Sequence, residues 1–155
     1  MKQTKISYWL KAITIILGAI GIAFFGWMTY MTLPMRVAND PAWVTVVCSW
    51  YIAVLCYLVL FEFWKVCTQI GANNSFSEEN AMHFHRMGIY GGCAAAGFAV
   101  RLIWWIVAIR KEHGEIAVLS AGEILLALVF VVLCEALAKL IKYAYDVKHE
   151  NDLTI

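Results

Sequence analysis

Charged residues and proline are scarce in this sequence: 15% of its 155 residues are Asp, Glu, Lys or Arg, and two are proline. Soluble domains usually carry about 25% charged residues. A soluble chain of this length also has too little interior to bury a 63% hydrophobic composition. The net charge of +1 lacks the basic excess that a nucleic-acid-binding surface needs. We therefore expect a lipid bilayer as the environment and no direct contact with nucleic acid.

Signatures of catalysis and metal binding are also missing. The sequence contains no HExxH, Walker, GxSxG or GxGxxG motif, and its five cysteines form no CxxC pair. His83 and His85 alternate, whereas two ligands on one helix face normally stand three or four residues apart. We therefore expect no metal, no haem or other cofactor, and no enzymatic activity.

Four long apolar segments account for the hydrophobic composition. A helix needs about 20 mostly apolar residues to cross the hydrocarbon layer. The predicted helices cover about 12–33, 43–69, 76–109 and 116–145, and a polar cytoplasmic tail covers 146–155. The short connections force neighbouring helices to run in opposite directions. The sequence thus predicts an all-α fold, a bundle of four antiparallel transmembrane helices in one membrane domain over 1–155.

Lysine and arginine residues determine the predicted orientation. The side that holds both termini and the connection between the second and third helices carries eight of them, against three on the other side. Because these residues favour the cytoplasmic side, we expect both termini in the cytoplasm. The apolar run after Lys11 is too long for a signal peptide, so the first helix is expected to be retained.

Arg101 is the clearest charged residue within an apolar segment, and such a residue usually finds a partner inside the protein. It lies eight residues before the end of the third helix, and Glu123 lies seven residues after the start of the fourth. In antiparallel neighbours these positions reach similar depths, which predicts an ion pair. Two alternatives remain: Arg101 extends alone to the interface, or the pair anchors a ligand in a cavity.

Two more acids lie near the cytoplasmic boundary. Glu62 is three residues from Lys65, and Glu135 is four residues before Lys139, and both are favourable helical spacings. The sequence predicts interfacial ion pairs here. The alternative is a proton-linked pair of acids, as in transporters.

Small residues repeat along the third helix. Gly88, Gly92 and Ala96 stand four residues apart, and Gly97 follows. Small side chains allow helix backbones to approach closely. We therefore expect a thin packing face on this helix, with Arg101 on it.

Two cytoplasmic segments are candidates for docking a partner. Ser75 and Glu78 have the spacing of a capping box, which predicts that the third helix starts near Phe76. Phe76 and Phe84 would then share a face, although a capped and solvated helix start explains the same residues. The second candidate is the polar tail, either a docking peptide or a plain solvated terminus, with three residues of interest: Asn151, Asp152 and Leu153.

Several stretches resemble a known family. They are Asn-Ser-Phe-Ser-Glu-Glu-Asn at 74–80, Met-Gly-Ile-Tyr at 87–90, and the ending Glu-Asn-Asp-Leu-Thr-Ile at 150–155. With the hydropathy of the whole chain, they resemble the DUF2975 family of small bacterial four-helix membrane proteins, also represented by YoaS-like proteins. The stretch 83–85, His-Phe-His, departs from the pattern of that family.

The resemblance supplies no catalytic residues. It implies a bacterial cell membrane and a cytoplasmic partner, because members often appear beside a helix-turn-helix regulator of the Xre or Cro type. The first functional hypothesis is therefore a non-enzymatic membrane regulator or sensor. The alternative is a small transporter or ligand-binding bundle that uses Arg101 and Glu123, with a homo-oligomer as a further expected assembly.

Overall fold

The computed structural model describes residues 2–37, 43–108 and 114–153, with side chains described for 3–31, 46–107 and 118–150. These residues form four α-helices: α1 (Lys2–Val37), α2 (Trp43–Gly71), α3 (Glu78–Ala108) and α4 (Gly114–Leu153). Every one of the four contains a stretch that is long and apolar enough to cross a membrane. The all-α prediction is confirmed, and the chain is a multi-pass integral membrane protein.

Three of the four described helices, α1, α2 and α4, extend beyond the predicted bounds. Helix α1 begins at Lys2 rather than near residue 12 and continues to Val37, and α4 continues to Leu153. Most of the predicted tail at 146–155 is therefore helical. The physical reason is that hydropathy locates the part of a helix that lies in lipid, whereas helical hydrogen bonds continue into water until a breaking residue ends them. No glycine or proline occurs at 146–153.

The helices pack in chain order. Among the described residues, α1 contacts α2, α2 contacts α3 and α3 contacts α4, while α1 and α4 do not touch. Ser7, near the start of α1, donates a hydrogen bond of 2.5 Å to the carbonyl of Cys67, near the end of α2. Further along, the Tyr57 hydroxyl donates to the carbonyl of Gly18 at 2.8 Å. The paired residues follow opposite orders along the two helices, as expected of antiparallel neighbours in an open bundle.

We call the end of the bundle where α1 begins, α2 ends, α3 begins and α4 ends the terminal end, and the opposite end the far end. At the terminal end a tight turn stops α2. Asn73 has a φ of 60°, the N–H of Asn73 donates to the carbonyl of Ile70, and the N–H of Asn74 donates to that of Gln69. This is a Schellman motif, in which asparagine occupies the left-handed position that glycine usually takes.

The start of α3 differs from the prediction. The Ser77 hydroxyl accepts a hydrogen bond of 3.2 Å from the backbone N–H of Asn80, so Ser77 rather than Ser75 is the N-cap. Helix α3 begins at Glu78, and Phe76 precedes it. The two acids in the first turn of α3, Glu78 and Glu79, favour this start because they lie at the positive end of the helix dipole.

Glycines on α3 bring both neighbouring helices close. A Cβ atom on Gly88 would lie 3.0 Å from Oε1 of Glu135 on α4. On the other side, a Cβ atom on Gly97 would lie 2.9 Å from the ring of Tyr51 on α2. The predicted packing role of Gly88 and Gly97 therefore corresponds to two different interfaces rather than to one face.

The packing role predicted for Gly92 and Ala96 is wrong. A Cβ atom on Gly92 would meet no atom within 4 Å, and Ala96 is exposed. Residues four apart differ in direction by about 40° around a helix. Gly92 and Ala96 therefore point progressively further from α4 than Gly88 does. The face toward α4 instead continues through Gly91, whose Cβ position lies 2.8 Å from the ring of Phe130.

We predict that Gly91→Ala lowers the melting temperature of the purified protein in detergent. The added methyl group would overlap the side chain of Phe130, and overpacking of this kind costs about 1–3 kcal/mol. Gly92→Ala is the matched control, because the same methyl group there meets open space and alanine favours a helix. Equal melting temperatures for the two variants would contradict this contact between α3 and α4.

Candidate functional site

Glu62 on α2 is a carboxylate with 4% of its surface exposed, and it is surrounded by basic side chains. Its Oε2 lies 2.5 Å from Nδ1 of His83, which extends from α3 and is also buried. Its Oε1 lies 3.2 Å from Nζ of Lys65 and 3.9 Å from Nη1 of Arg86. Three basic partners offset the loss of water around a buried charge.

Glu135 on α4 forms the second pair of this kind. Its Oε1 lies 2.6 Å from Nδ1 of His85 on α3. This pair is more open, since 57% of the His85 side chain and 35% of the Glu135 side chain are exposed. It borders a groove of about 240 Å³ between α3 and α4 at the terminal end, which we call the α3/α4 groove. The groove is lined by Glu78, Ala81, Met82, His85, Glu135, Ala138, Lys139 and Lys142.

The alternating spacing of the two histidines produces both pairs. Residues two apart on a helix differ in direction by about 200°, so His83 and His85 extend from opposite sides of α3. Because α3 lies between α2 and α4, His83 meets the acid of one neighbour and His85 meets the acid of the other. From the sequence alone, the divergence of the two histidines indicates only that a metal site is not expected. The sequence feature that could have revealed the two pairs is the presence of one acid on each helix beside α3, Glu62 on α2 and Glu135 on α4.

The two acid predictions have different outcomes. Glu62 contacts Lys65, as the helical spacing predicted. The pairing predicted for Glu135 and Lys139 is wrong: Lys139 lines the α3/α4 groove, but the side chain within ion-pair distance of Glu135 is His85. The reason is that the glycine at position 88 lets α3 approach α4 closely, which brings a ring from the neighbouring helix against the carboxylate.

Arg101 and Glu123 form an ion pair toward the far end, between α3 and α4. Nη2 of Arg101 also donates to the hydroxyl of Ser120 at 3.2 Å, and its guanidinium lies 5.3 Å from the centre of the Phe98 ring. The structure thus brings together the two residues that were expected at equal depth. Nε of Arg101 is buried without a hydrogen-bond partner among the described residues, and Glu123 remains partly exposed.

The predicted docking residues do not form one surface. Phe76 is exposed in the connection before α3, whereas Phe84 is half-buried within α3, so they share no helix face. The prediction that Phe76 and Phe84 share a helix face is wrong because α3 begins after Phe76. Residues 151–153 belong to α4, and their side chains lie outside the described residues.

The described residues contain no group of three His, Cys, Asp or Glu side chains close enough to hold a metal ion. Each polar cluster instead pairs acidic with basic groups. Such an arrangement can fix the relative positions of helices and can exchange a proton or a hydrogen bond. It also leaves the exposed His85–Glu135 pair available to a molecule in the α3/α4 groove.

A double-mutant cycle will measure how strongly the buried pair couples α2 to α3. We expect Glu62→Leu and His83→Leu each to lower the melting temperature, because each leaves a buried polar group with fewer partners. The double variant should lose less than the sum, with a coupling of about 1–3 kcal/mol.

The same cycle at Glu135 and His85 is the control. The side chains of His85 and Glu135 are partly exposed, so the coupling between them should be below about 1 kcal/mol. Additive effects of Glu62→Leu and His83→Leu would show that the buried pair does not stabilise the contact between α2 and α3.

Comparison with known proteins gives one match. A protein-family model described as "Protein of unknown function (DUF2975)" matches residues 35–155, which include α2, α3, α4 and both histidine–carboxylate pairs. No curated protein matches the chain, and no solved structure does. Since the match covers well over half of the sequence, the chain belongs to the DUF2975 family.

Proposed function

We propose that this chain is a non-enzymatic regulator or sensor of the bacterial cell membrane, with its terminal end in the cytoplasm, where it binds a cytoplasmic protein. One observation carries the proposal. At the terminal end, α3 is joined to both neighbours by histidine–carboxylate pairs, and one of these pairs borders the α3/α4 groove. A molecule at this groove therefore meets the contacts that fix α3.

Each histidine–carboxylate pair can be formed or broken, so on each side α3 is either attached to the neighbouring helix or free of it. A molecule that forms a competing hydrogen bond or ionic contact with either member of a pair weakens the contact between the two. Loss of a pair releases α3 from that neighbour. Charged side chains from the packed helices surround both histidines. Those near His83 are Glu62, Lys65, Glu79 and Arg86. Those near His85 are Glu78, Glu135, Lys139 and Lys142.

The non-enzymatic part of the proposal rests on the partners of the histidines. His83 and His85 form their short contacts with carboxylates. A histidine that activates a serine or cysteine nucleophile contacts that side chain instead. The geometry is that of a structural contact that a signal can weaken.

The partner expected at the groove is a soluble protein that inserts an amphipathic side chain or helix end. The groove combines an apolar floor of Ala81, Met82 and Ala138 with acidic and basic rims, and it suits a mixed surface better than a strongly charged one. A helix-turn-helix regulator of the Xre type is our candidate, from the resemblance to DUF2975 members that appear beside one.

We predict that Met82→Glu abolishes capture of a cytoplasmic protein by the detergent-solubilised full chain, because it adds a negative charge to the groove floor. The matched control is Thr68→Glu, which adds the same charge at an exposed position of α2 at the same end. Capture is measured by affinity purification from native membranes and cytosol, followed by mass spectrometry. A protein retained equally by the parent and Met82→Glu, or the absence of any cytosolic protein specific to the parent, contradicts the proposal.

A second candidate function is ligand binding or transport through Arg101 and Glu123. It is favoured by the buried Nε of Arg101, which lacks a hydrogen-bond partner among the described residues, beside a partly exposed Glu123. A buried donor of this kind is normally satisfied by water or another molecule. A wet cavity at this depth would supply both the partner and a path for a ligand.

We therefore predict that, if this second function holds, Glu123→Cys in liposomes reacts with a membrane-impermeant thiol reagent. Leu126→Cys, one turn along α4 on an apolar face, is the control and should stay unlabelled because its apolar surroundings in the membrane exclude water. The parent measures the reactivity of the native cysteines. Protection of Glu123→Cys equal to that of Leu126→Cys would rule out the wet cavity and leave the ion pair with a structural role.

A further inference from the structure

Helix α4 is longer than a membrane crossing requires. Its 40 residues span about 60 Å at roughly 1.5 Å per residue, twice the approximate 30 Å of a hydrocarbon layer. Its apolar run contains no charge between Glu123 and Glu135, and charged residues recur from there to Glu150. The part of α4 after Glu135 therefore continues past the lipid at the terminal end.

Two opposite faces run along α4. One faces α3 and includes the buried residues Ser120, Cys134 and Ala138. The other carries exposed apolar residues at steps of three and four, and we call it the outer seam. The outer seam consists of Leu119, Gly122, Leu126, Val129, Leu133, Ala136, Leu140, Tyr143 and Val147.

The outer seam has the pattern of a coiled coil. Leu119, Leu126, Leu133 and Leu140 are seven residues apart, which places them at one core position of a heptad, with Val147 next in the series. The second core position carries Gly122, Val129, Ala136 and Tyr143, and its two small residues, Gly122 and Ala136, permit close approach of another helix. A Cβ atom on Gly122 would meet nothing within 4 Å in the single chain.

Lipid covers only part of the outer seam. Leu140 and Tyr143 lie past Glu135, among charged residues, yet they are 63% and 71% exposed. Exposed apolar side chains that keep one heptad register across the lipid boundary suit a partner helix that crosses the same boundary. A soluble protein reaches only the part in water, and lipid reaches only the part in the membrane.

We propose that the outer seam binds the outer seam of a second copy of this chain, as a parallel two-stranded coiled coil that continues from the membrane into the water. A second copy carries the same helix at the same depth, so a two-fold axis along the membrane normal aligns both seams over their whole length. The flanking charges permit this pairing. Lys139 and Asp146 occupy one flank, and the other flank carries Glu123, Leu137 and Ala144. Because Glu123 faces the uncharged Val118 across a parallel seam, no like charges meet.

The dimer leaves the α3/α4 groove open. The groove residues of α4, such as Glu135 and Ala138, lie on the side of the helix that faces α3. The second copy covers the opposite side. The inference therefore goes beyond the proposed function, and failure of one leaves the other unaffected.

Cysteine cross-linking in native membranes tests the seam. Single cysteines are placed at Leu140, Tyr143 and Lys142, and disulfide-linked dimers are measured by non-reducing electrophoresis after mild oxidation. We expect dimers for Leu140→Cys and Tyr143→Cys, and for Lys142→Cys no more than the background of the parent with its five native cysteines. Equal yields at the three positions, or a maximum at Lys142→Cys, would overturn the proposal.

Counting subunits in liposomes tests association without new cysteines. The fluorescently labelled parent should bleach in two steps, and Ala136→Trp should shift the population to one step because a large side chain blocks the seam. Ala121→Trp is the matched control, since Ala121 is also exposed on α4 but lies off the seam, and it should keep two steps. Single-step bleaching of the parent at all surface densities refutes the dimer, and loss of dimers in both variants refutes the seam.

Discussion

The acids on α2 and α4 impose the constraint on which the terminal end depends. A carboxylate between helices, away from water, is unfavourable unless basic or hydrogen-bonding groups surround it. Glu62 and Glu135 lie on different helices, and the residues that meet them, His83 and His85, lie on the helix between. Helix α3 therefore has a buried contact to α2 and a partly exposed contact to α4, and its glycines approach the same two helices.

This arrangement concentrates the polar chemistry of the protein on α3. Toward the far end the same helix provides Arg101, which contacts Glu123 and Ser120 of α4. One helix thus carries ionic contacts at two levels, separated by a stretch of small residues that packs through backbone approach. A movement of α3 would therefore alter the ionic contacts at both levels.

The number and type of helices follow from the sequence because about 20 uncharged apolar residues have few other stable arrangements. The pairing of Arg101 with Glu123 also follows, since depth in a membrane helix can be counted from its ends. The helix ends were less predictable. Hydropathy locates the lipid boundary of a helix rather than its end. The choice between Ser75 and Ser77 as the N-cap of α3 depends on how the turn at Asn73 orients the connection. The histidine contacts required knowledge of which faces of α3 meet which neighbours.

Packing in strict chain order bears on how the protein is made. Among the described residues, each helix contacts only the helices next to it in the chain, so the tertiary contacts form between consecutive helices. During synthesis, a newly inserted helix finds its partner already in the bilayer and never has to displace an earlier pair. Helix α4, which follows α3 in the chain, docks on α3 and completes the second histidine contact. Assembly of this kind proceeds hairpin by hairpin, without the slow search that distant contacts demand.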